Sequence, residues 1–253
     1  RGDLTPVILQ TSTTRNMISS LLPISLLAGL AAASPLTARQ VIPNYPPTST
    51  SKGFHLVVNV TDPSLDFEPP INNFYVSSIH VGAGQNLVGV SAEPGRIFYQ
   101  NGTIEEVQFA QSTVISDGGT PPAPYGFSLQ PDAGSEVVST ARLDGGAGTP
   151  GVVLSRFPEP YRFLLPGTYL ACNESIEYYQ GQNFVIIKQA DVTIDEDGTI
   201  NYNVPDNCIA VRLLPECTEL NELPSDALSS HEFAANSQCY EDVSALVWSD
   251  YGP

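Results

Sequence analysis

The chain has 253 residues, 42% of them hydrophobic and 15% charged, with 27 acidic against 10 basic side chains and a formal net charge of −17. That apolar content excludes a disordered acidic tail, and the charge repels nucleic-acid phosphate. The 22 prolines and 20 glycines spread along the chain exclude a coiled coil.

Residues 1–16 precede Met17, the chain's only methionine, and read as an upstream extension. The Arg1-Gly2-Asp3 tripeptide within them resembles an adhesion motif but lies ahead of the expected processing point. Residues 17–33 form a short apolar run ending in Ala31-Ala32-Ala33, the pattern of a secretory signal peptide cleaved after Ala33. The run is too short to span a bilayer comfortably. Removal of residues 1–33 takes away Arg1, Arg15 and Asp3 and leaves 8 basic against 26 acidic side chains, net −18. Residues 34–50 read as a linker or propeptide, kept extended by Pro43, Pro46 and Pro47.

From residue 51 to 214 short apolar and β-branched runs alternate with turn residues. Strands are expected over Phe54–Thr61, Phe74–Val81, Arg96–Gln100, Thr103–Phe109, Glu136–Leu143 and Gly151–Phe157. Asn101-Gly102 reads as the hairpin turn between the third and fourth of these. Asn183–Lys188, apolar almost throughout, reads as a central strand, and Asp197-Gly198 marks a hairpin between 192–195 and 199–203. The fold class that follows is all-β, a single antiparallel sandwich or barrel. Residues 215–253 read as a C-terminal tail, with a short helix over 226–235 and a short helix or strand over 242–248.

Cys172, Cys208, Cys217 and Cys239 lack the Cys-x-x-Cys spacing of a zinc site. Of the three possible pairings, the unnested Cys172–Cys208 and Cys217–Cys239 is favoured, tying the tail to itself. Asn59, Asn101 and Asn173 head N-glycosylation sequons.

Gly146-Ala-Gly148-Thr-Pro-Gly151 fits a dinucleotide fingerprint as text, but Pro150 and the β-branched Val152-Val153 oppose the required helix. Asp195-Glu-Asp197-Gly198 lacks the terminal ligands of an EF-hand loop. There is no Gly-x-Ser-x-Gly elbow. With 27 acidic residues a glycosidase-type carboxylate pair is open on sequence alone. No catalytic residue, metal ligand or cofactor is therefore assigned. His80, ahead of Gly82-Ala-Gly84, is a possible ligand contact, although a strand ending in a glycine turn is the simpler reading. Tyr161, Tyr169, Tyr178, Tyr179 and Trp248 are candidate sugar platforms, with Tyr178 and Tyr179 named alongside His80 as ligand contacts.

The Ser51-x-Gly-Phe…Val-Thr-Asp-Pro63 stretch, Ile71-Asn-Asn73 and Ile79-His-Val-Gly-Ala-Gly84 resemble short secreted proteins of filamentous ascomycete fungi that share an uncharacterised domain. The resemblance runs from about Ser51 to the Cys208 region and implies an extracellular or cell-wall-associated protein, with no catalytic residue to carry over. The expectation is a secreted, disulfide-bonded, glycosylated β protein without catalytic activity. The alternative is a carbohydrate-binding protein or a glycan-active hydrolase. Cell-wall polysaccharide is the candidate partner; nucleic acid and a stable membrane anchor are not expected, since the C-terminus lacks the hydrophobic tail of a lipid-anchor signal.

Overall fold

The computed structural model describes residues 44–252, so the expected upstream extension and signal peptide, and most of the expected linker, lie outside the described residues. The described strands are β1 (Ser49–Ser51), β2 (Gly53–Val60), β3 (Tyr75–Gly82), β4 (Gln85–Ser91), β5 (Phe98–Asn101), β6 (Thr113–Gly118), β7 (Ala123–Pro131), β8 (Val138–Gly145), β9 (Tyr169–Ile176), β10 (Gln182–Ala190), β11 (Thr193–Ile194), β12 (Ile200–Asn201), β13 (Cys208–Thr218) and β14 (Ser237–Cys239). The one α-helix among the described residues is α1 (Ile104–Gln108).

Ten strands form one antiparallel ladder in the order β10-β9-β13-β2-β3-β4-β8-β7-β6-β5. It closes on itself where β5 returns to β2 at Phe98↔Phe54 and where β10 meets β4 and β8. Closure removes the unpaired edges that an open sheet of this size would expose. β10 is an inner strand, paired with β9 along its length and with β8 and β4 on its other side.

Alternation decides which side chains enter the core. On β2, Phe54, Leu56, Val58 and Val60 point inward with Val211 and Leu213 of β13, while His55, Val57 and Asn59 face outward. The inward set continues through Val76, Val88, Phe98, Val114, Phe127, Leu143 and Tyr169. The outward pair Val57 and Leu214 is covered by Tyr240 and Val243 from the tail. Tyr75 Oη donates to Glu216 Oε1, and the Val243 amide donates to Glu216 Oε2.

The structure corrects five local expectations. Residues 103–109 carry α1 instead of a strand, because Thr103 and Glu106 form a reciprocal capping box that satisfies the first helical amides. Asn101-Gly102 consequently does not make a two-residue turn; β5 and β6 pair with α1 inside their connection. Residues 151–157 form an irregular segment with Val152, Val153 and Leu154 buried, joined to its neighbour by the isolated bridge of Leu154 to Leu164 and by no ladder. The Leu154 amide bonds Gln100 Oε1, and Val153 and Ser155 bond the 163–165 segment. Residues 226–235 form turns with no helix, because their amides have partners elsewhere: Leu228 and Ser229 donate to Pro122 O, and Ala235 to Gln100 O. Within 242–248 the chain turns and only then enters a 3-10 turn at Trp248–Asp250.

The expected boundary at 214/215 falls inside β13, which pairs with β2 continuously from Val211 to Thr218. The described end of the expected linker is also docked, since β1 pairs with β14 and Asn44 bridges Gly252. The bridges are Cys172–Cys208 and Cys217–Cys239. The first links facing positions of β9 and β13. The second joins the tail to β13 of the main ladder, so it anchors the tail to the core sheet as well as to itself.

On β10, Lys188 Nζ lies 2.8 Å from Asp132 and 3.0 Å from Glu174. Burial pushes its ammonium down, but the hydrogen bonds and charge of both carboxylates outweigh this and hold it above the ordinary lysine range. The stabilisation is full below the unfolded lysine value of about 10.4 and is lost as pH rises through the raised folded one. Lys188→Met is expected to cost about 1–2 kcal/mol at neutral pH by leaving two carboxylates together without a counter-charge. The urea midpoint measured from pH 7 to 11 checks this; the gap to the unmodified protein should narrow at the alkaline end.

Candidate functional site

The hairpin connecting β3 and β4 carries His80 at its end, and Ala83-Gly84 turns the chain with Gly84 at φ 68°. A register shift between His80 and Gly82 marks a bulge there. The β9–β10 hairpin turns through Glu177–Tyr179 and a left-handed Gln180. These two hairpins bring together side chains about a hundred positions apart in sequence. The His80 and Tyr178 rings are 5.5 Å apart and perpendicular, Tyr178 and Tyr179 are 5.3 Å apart, and Tyr179 lies 4.9 Å from Phe184. Tyr178 is 56% exposed. The three sequence-nominated ligand contacts therefore share one aromatic patch, exposed at His80 and Tyr178 and half-buried at Tyr179, and extended inward by the half-buried Phe184, which the sequence reading did not include.

The other nominated aromatics separate. Tyr169 is fully buried, its hydroxyl donating to Leu165 O, and burial holds its phenol far above the ordinary range. Tyr161 and Trp248 lie 6.5 Å apart and line a groove of about 350 Å³ with Asn59, Thr61, Arg212 and Leu214 on the outward face of β2 and β13. Thr61 and Arg212 continue into a second hollow of about 380 Å³ beside Tyr202. Arg212 lies over the Phe163 ring at 5.2 Å. A hollow of about 880 Å³ lies between α1 and residues 232–236, and its charged lining residues are Lys52, Glu105 and Glu232.

One polar cluster escaped the sequence reading. His231 Nε2 is 2.7 Å from Asp117 Oδ2, and Tyr99 Oη donates to Asp117 Oδ1 at 3.3 Å. Burial, then the charge and hydrogen bond of Asp117, push the Tyr99 phenol far above its ordinary range. Arg96 donates to Asp117 O and to Ser78 Oγ. An Asp–His pair becomes nucleophilic machinery when the imidazole also reaches a hydroxyl or thiol. Here His231 bonds Asp117, and no described hydrogen bond joins its ring to a hydroxyl or thiol. The geometry serves to dock the tail on β6. No signal short of the fold links His231 to Asp117, 114 residues away.

Asp132 and Glu174 converge, but on Lys188. In the acidic hairpin, Asp195 accepts from Asn201 and Asp197 from the Thr199 amide, so both carboxylates serve the turn. Among the described residues no group of three or more His, Cys, Asp or Glu is placed to hold a metal ion. The Gly146–Gly151 stretch is a loop with Gly146, Gly148 and Gly151 at positive φ. A Cβ on Gly126 of β7 would come within 2.0 Å of Gly148 N. These glycines serve close backbone approach.

Residues 51–217 match the family described as a domain of unknown function (DUF7907). The chain belongs to this family. It is also 74% identical over 221 residues to "Antigenic protein SchS34" of Stachybotrys chartarum, an alignment covering 87% of this chain and 100% of that protein. No solved structure matches the chain. The DUF7907 match ends at Cys217, inside β13, and includes His80, Tyr178, Tyr179 and Asn59. His231, Cys239 and Trp248, which pack the tail onto that domain, lie beyond it.

Proposed function

We propose that this chain is an exported, glycosylated β protein of the fungal cell wall or surrounding medium, acting by structure and interaction without catalysing a reaction. The observation that carries the reading is the pairing of all four cysteines in two disulfides, which persist in oxidising compartments. The expected signal peptide and three sequons support it, as does the antigenic character in the printed name of the Stachybotrys chartarum relative. Among the described residues no helix is long and apolar enough to cross a membrane. Mass spectrometry of culture medium, washed walls and cell lysate tests the reading. The protein is expected in the first two, cleaved near Ala33, and recovery from the lysate alone would refute export. A screen on glycan and ester substrates should yield no turnover.

A second reading, carbohydrate recognition, is favoured by the convergence of His80, Tyr178, Tyr179 and Phe184. An open aromatic surface, with the Tyr178 ring standing out to solvent, suits an extended polysaccharide better than a small enclosed ligand. Retention on chitin, β-glucan and cellulose tests it. Tyr178→Ala should weaken retention about two- to tenfold, the range for loss of one exposed aromatic contact. No retention of the unmodified protein on any of the three would remove the second reading and leave the first. Detectable hydrolysis would replace both with a glycan-active enzyme.

A further inference from the structure

We propose that the groove on the outward face of β2 and β13 is the seat of the protein's own N-linked glycan, carried on Asn59. The inference rests on the reading that the chain is exported. Both functional positions of the Asn59-Val60-Thr61 sequon, the acceptor amide and the threonine, line this groove. The described hydrogen bonds include none from the Asn59 side-chain amide, as for Asn101 and Asn173, so all three sequon asparagines leave the amide nitrogen uncommitted, and Asn59 differs from the other two in lining this groove. β2 places Asn59 outward beside Arg212, its register partner on β13. Tyr161 and Trp248, 6.5 Å apart, and the buried Leu214 share the lining with Asn59. Aromatic rings present apolar surface to the C–H faces of a sugar, while Arg212 can donate to its edges and the Thr61 hydroxyl, which donates to Ala210 O, can accept from them. The hollow beside Tyr202 continues the path through the shared residues Thr61 and Arg212.

The attachment uses a lipid-pyrophosphate-linked oligosaccharide as donor. The Asn59 amide nitrogen forms a bond to the anomeric carbon of the first sugar, the carbon–oxygen bond to the lipid pyrophosphate breaks, and the amide releases one proton. The transferase of the export route supplies the catalysis, and this chain supplies the acceptor. Once the tail closes over β13, the attached sugars lie against Trp248 instead of projecting freely. The sugar held in this groove is thus intrinsic to the protein, and the surface left for a foreign polysaccharide is the His80–Tyr178 patch.

Trp248 is the chain's only tryptophan, so its emission reports on one place, where the groove meets the Tyr240 packing beneath it. The full chain would be secreted from a eukaryotic host as wild type, Asn59→Gln and Thr61→Ser, the last retaining the sequon. Glycopeptide mapping is expected to find sugar on Asn59. Native-state endoglycosidase should release it about tenfold more slowly than sugar on the exposed Asn173, reflecting local protection. Trp248 emission should shift to the red in Asn59→Gln and stay unchanged in Thr61→Ser. Sugar on Asn59 released as fast as that on Asn173, with unchanged emission in Asn59→Gln, would overturn the inference. So would an exported protein glycosylated at Asn101 or Asn173 but bare at Asn59, with the export reading intact. A chain retained in the cell without sugar would overturn both.

Discussion

Replacing Phe127 with alanine is expected to lower the stability of the fold by about 3–5 kcal/mol, the usual cost of emptying an aromatic site in a packed core. Phe127 sits on β7 with no exposure to solvent, in the cluster that also contains Phe54, Phe98, Leu143 and Leu213, and its ring meets Tyr169 edge-on at 6.0 Å. The surroundings can collapse only slightly. β7 is hydrogen-bonded to β6 and β8 on its two sides, and its neighbour Gly126 already lies against the Gly148 backbone. The removed volume therefore stays as a cavity. A urea titration should show a lower midpoint at unchanged slope, since the surface exposed on unfolding is nearly the same. Phe157→Ala is the control: that ring is 88% exposed, and its loss should stay within about 0.5 kcal/mol. Equal effects of the two substitutions would contradict the assignment of the core.

The second large effect is expected from the Cys217→Ala/Cys239→Ala variant. The bridge closes a loop of sequence separation 22, and on the chain-entropy account its removal costs about 3.4 kcal/mol. The loss should be regional. Apart from this bridge, the tail is held by the three-residue pairing of β14 with β1, the Leu228, Ser229 and Ala235 amide bonds to Pro122 O and Gln100 O, the backbone bonds of Tyr240 to Pro215 and Cys217, the covering of Val57 and Leu214 by Tyr240 and Val243, and the His231–Asp117 hydrogen bond. Limited proteolysis should therefore cut residues 219–236 first, while the β2–β13 ladder stays protected. Uniform protection, with a stability change under about 1 kcal/mol, would mean the tail is held by its packing alone. Cys172→Ala/Cys208→Ala is the instructive comparison. Its loop is longer, at a separation of 36, but it joins strands already paired from Cys208↔Cys172 to Val211↔Tyr169, so its loss should lower global stability without loosening the tail.

The contrast between correct and mistaken expectations follows from the range of the interactions involved. β2, β3 and β10 were readable because alternation and β-branched density are local properties, and each strand's own residues reveal which side is apolar. The Asp197-Gly198 hairpin was readable for the same reason. α1 was missed although its signal is also local: Thr103-x-x-Glu106 is a capping box, and the apolar character of Ile104, Val107 and Phe109 masked it. Residues 151–157 misled because burial on every side and strand formation select the same residue types. Val152 and Val153 are apolar as part of a buried irregular segment whose amides are satisfied by Gln100 and the 163–165 strip. The absence of a helix over 226–235 could not be read locally, because its amides answer to Pro122 and Gln100, more than a hundred residues away.

The candidate sites divide in the same way. Residue type and spacing alone determined an all-β chain with an acidic surface, four cysteines in the last third and three sequons, because composition, alternation and short motifs are carried by neighbouring residues. Only the tertiary structure decided that His80 meets Tyr178, that Tyr169 belongs to the core while Tyr161 and Trp248 open onto a groove, that Asn59 lies in that groove, and that the tail is part of the main sheet's cover. Each of these depends on which strands pair and where the ladder closes. Strand pairing joins residues far apart in the chain, through backbone groups that every residue type except proline supplies alike.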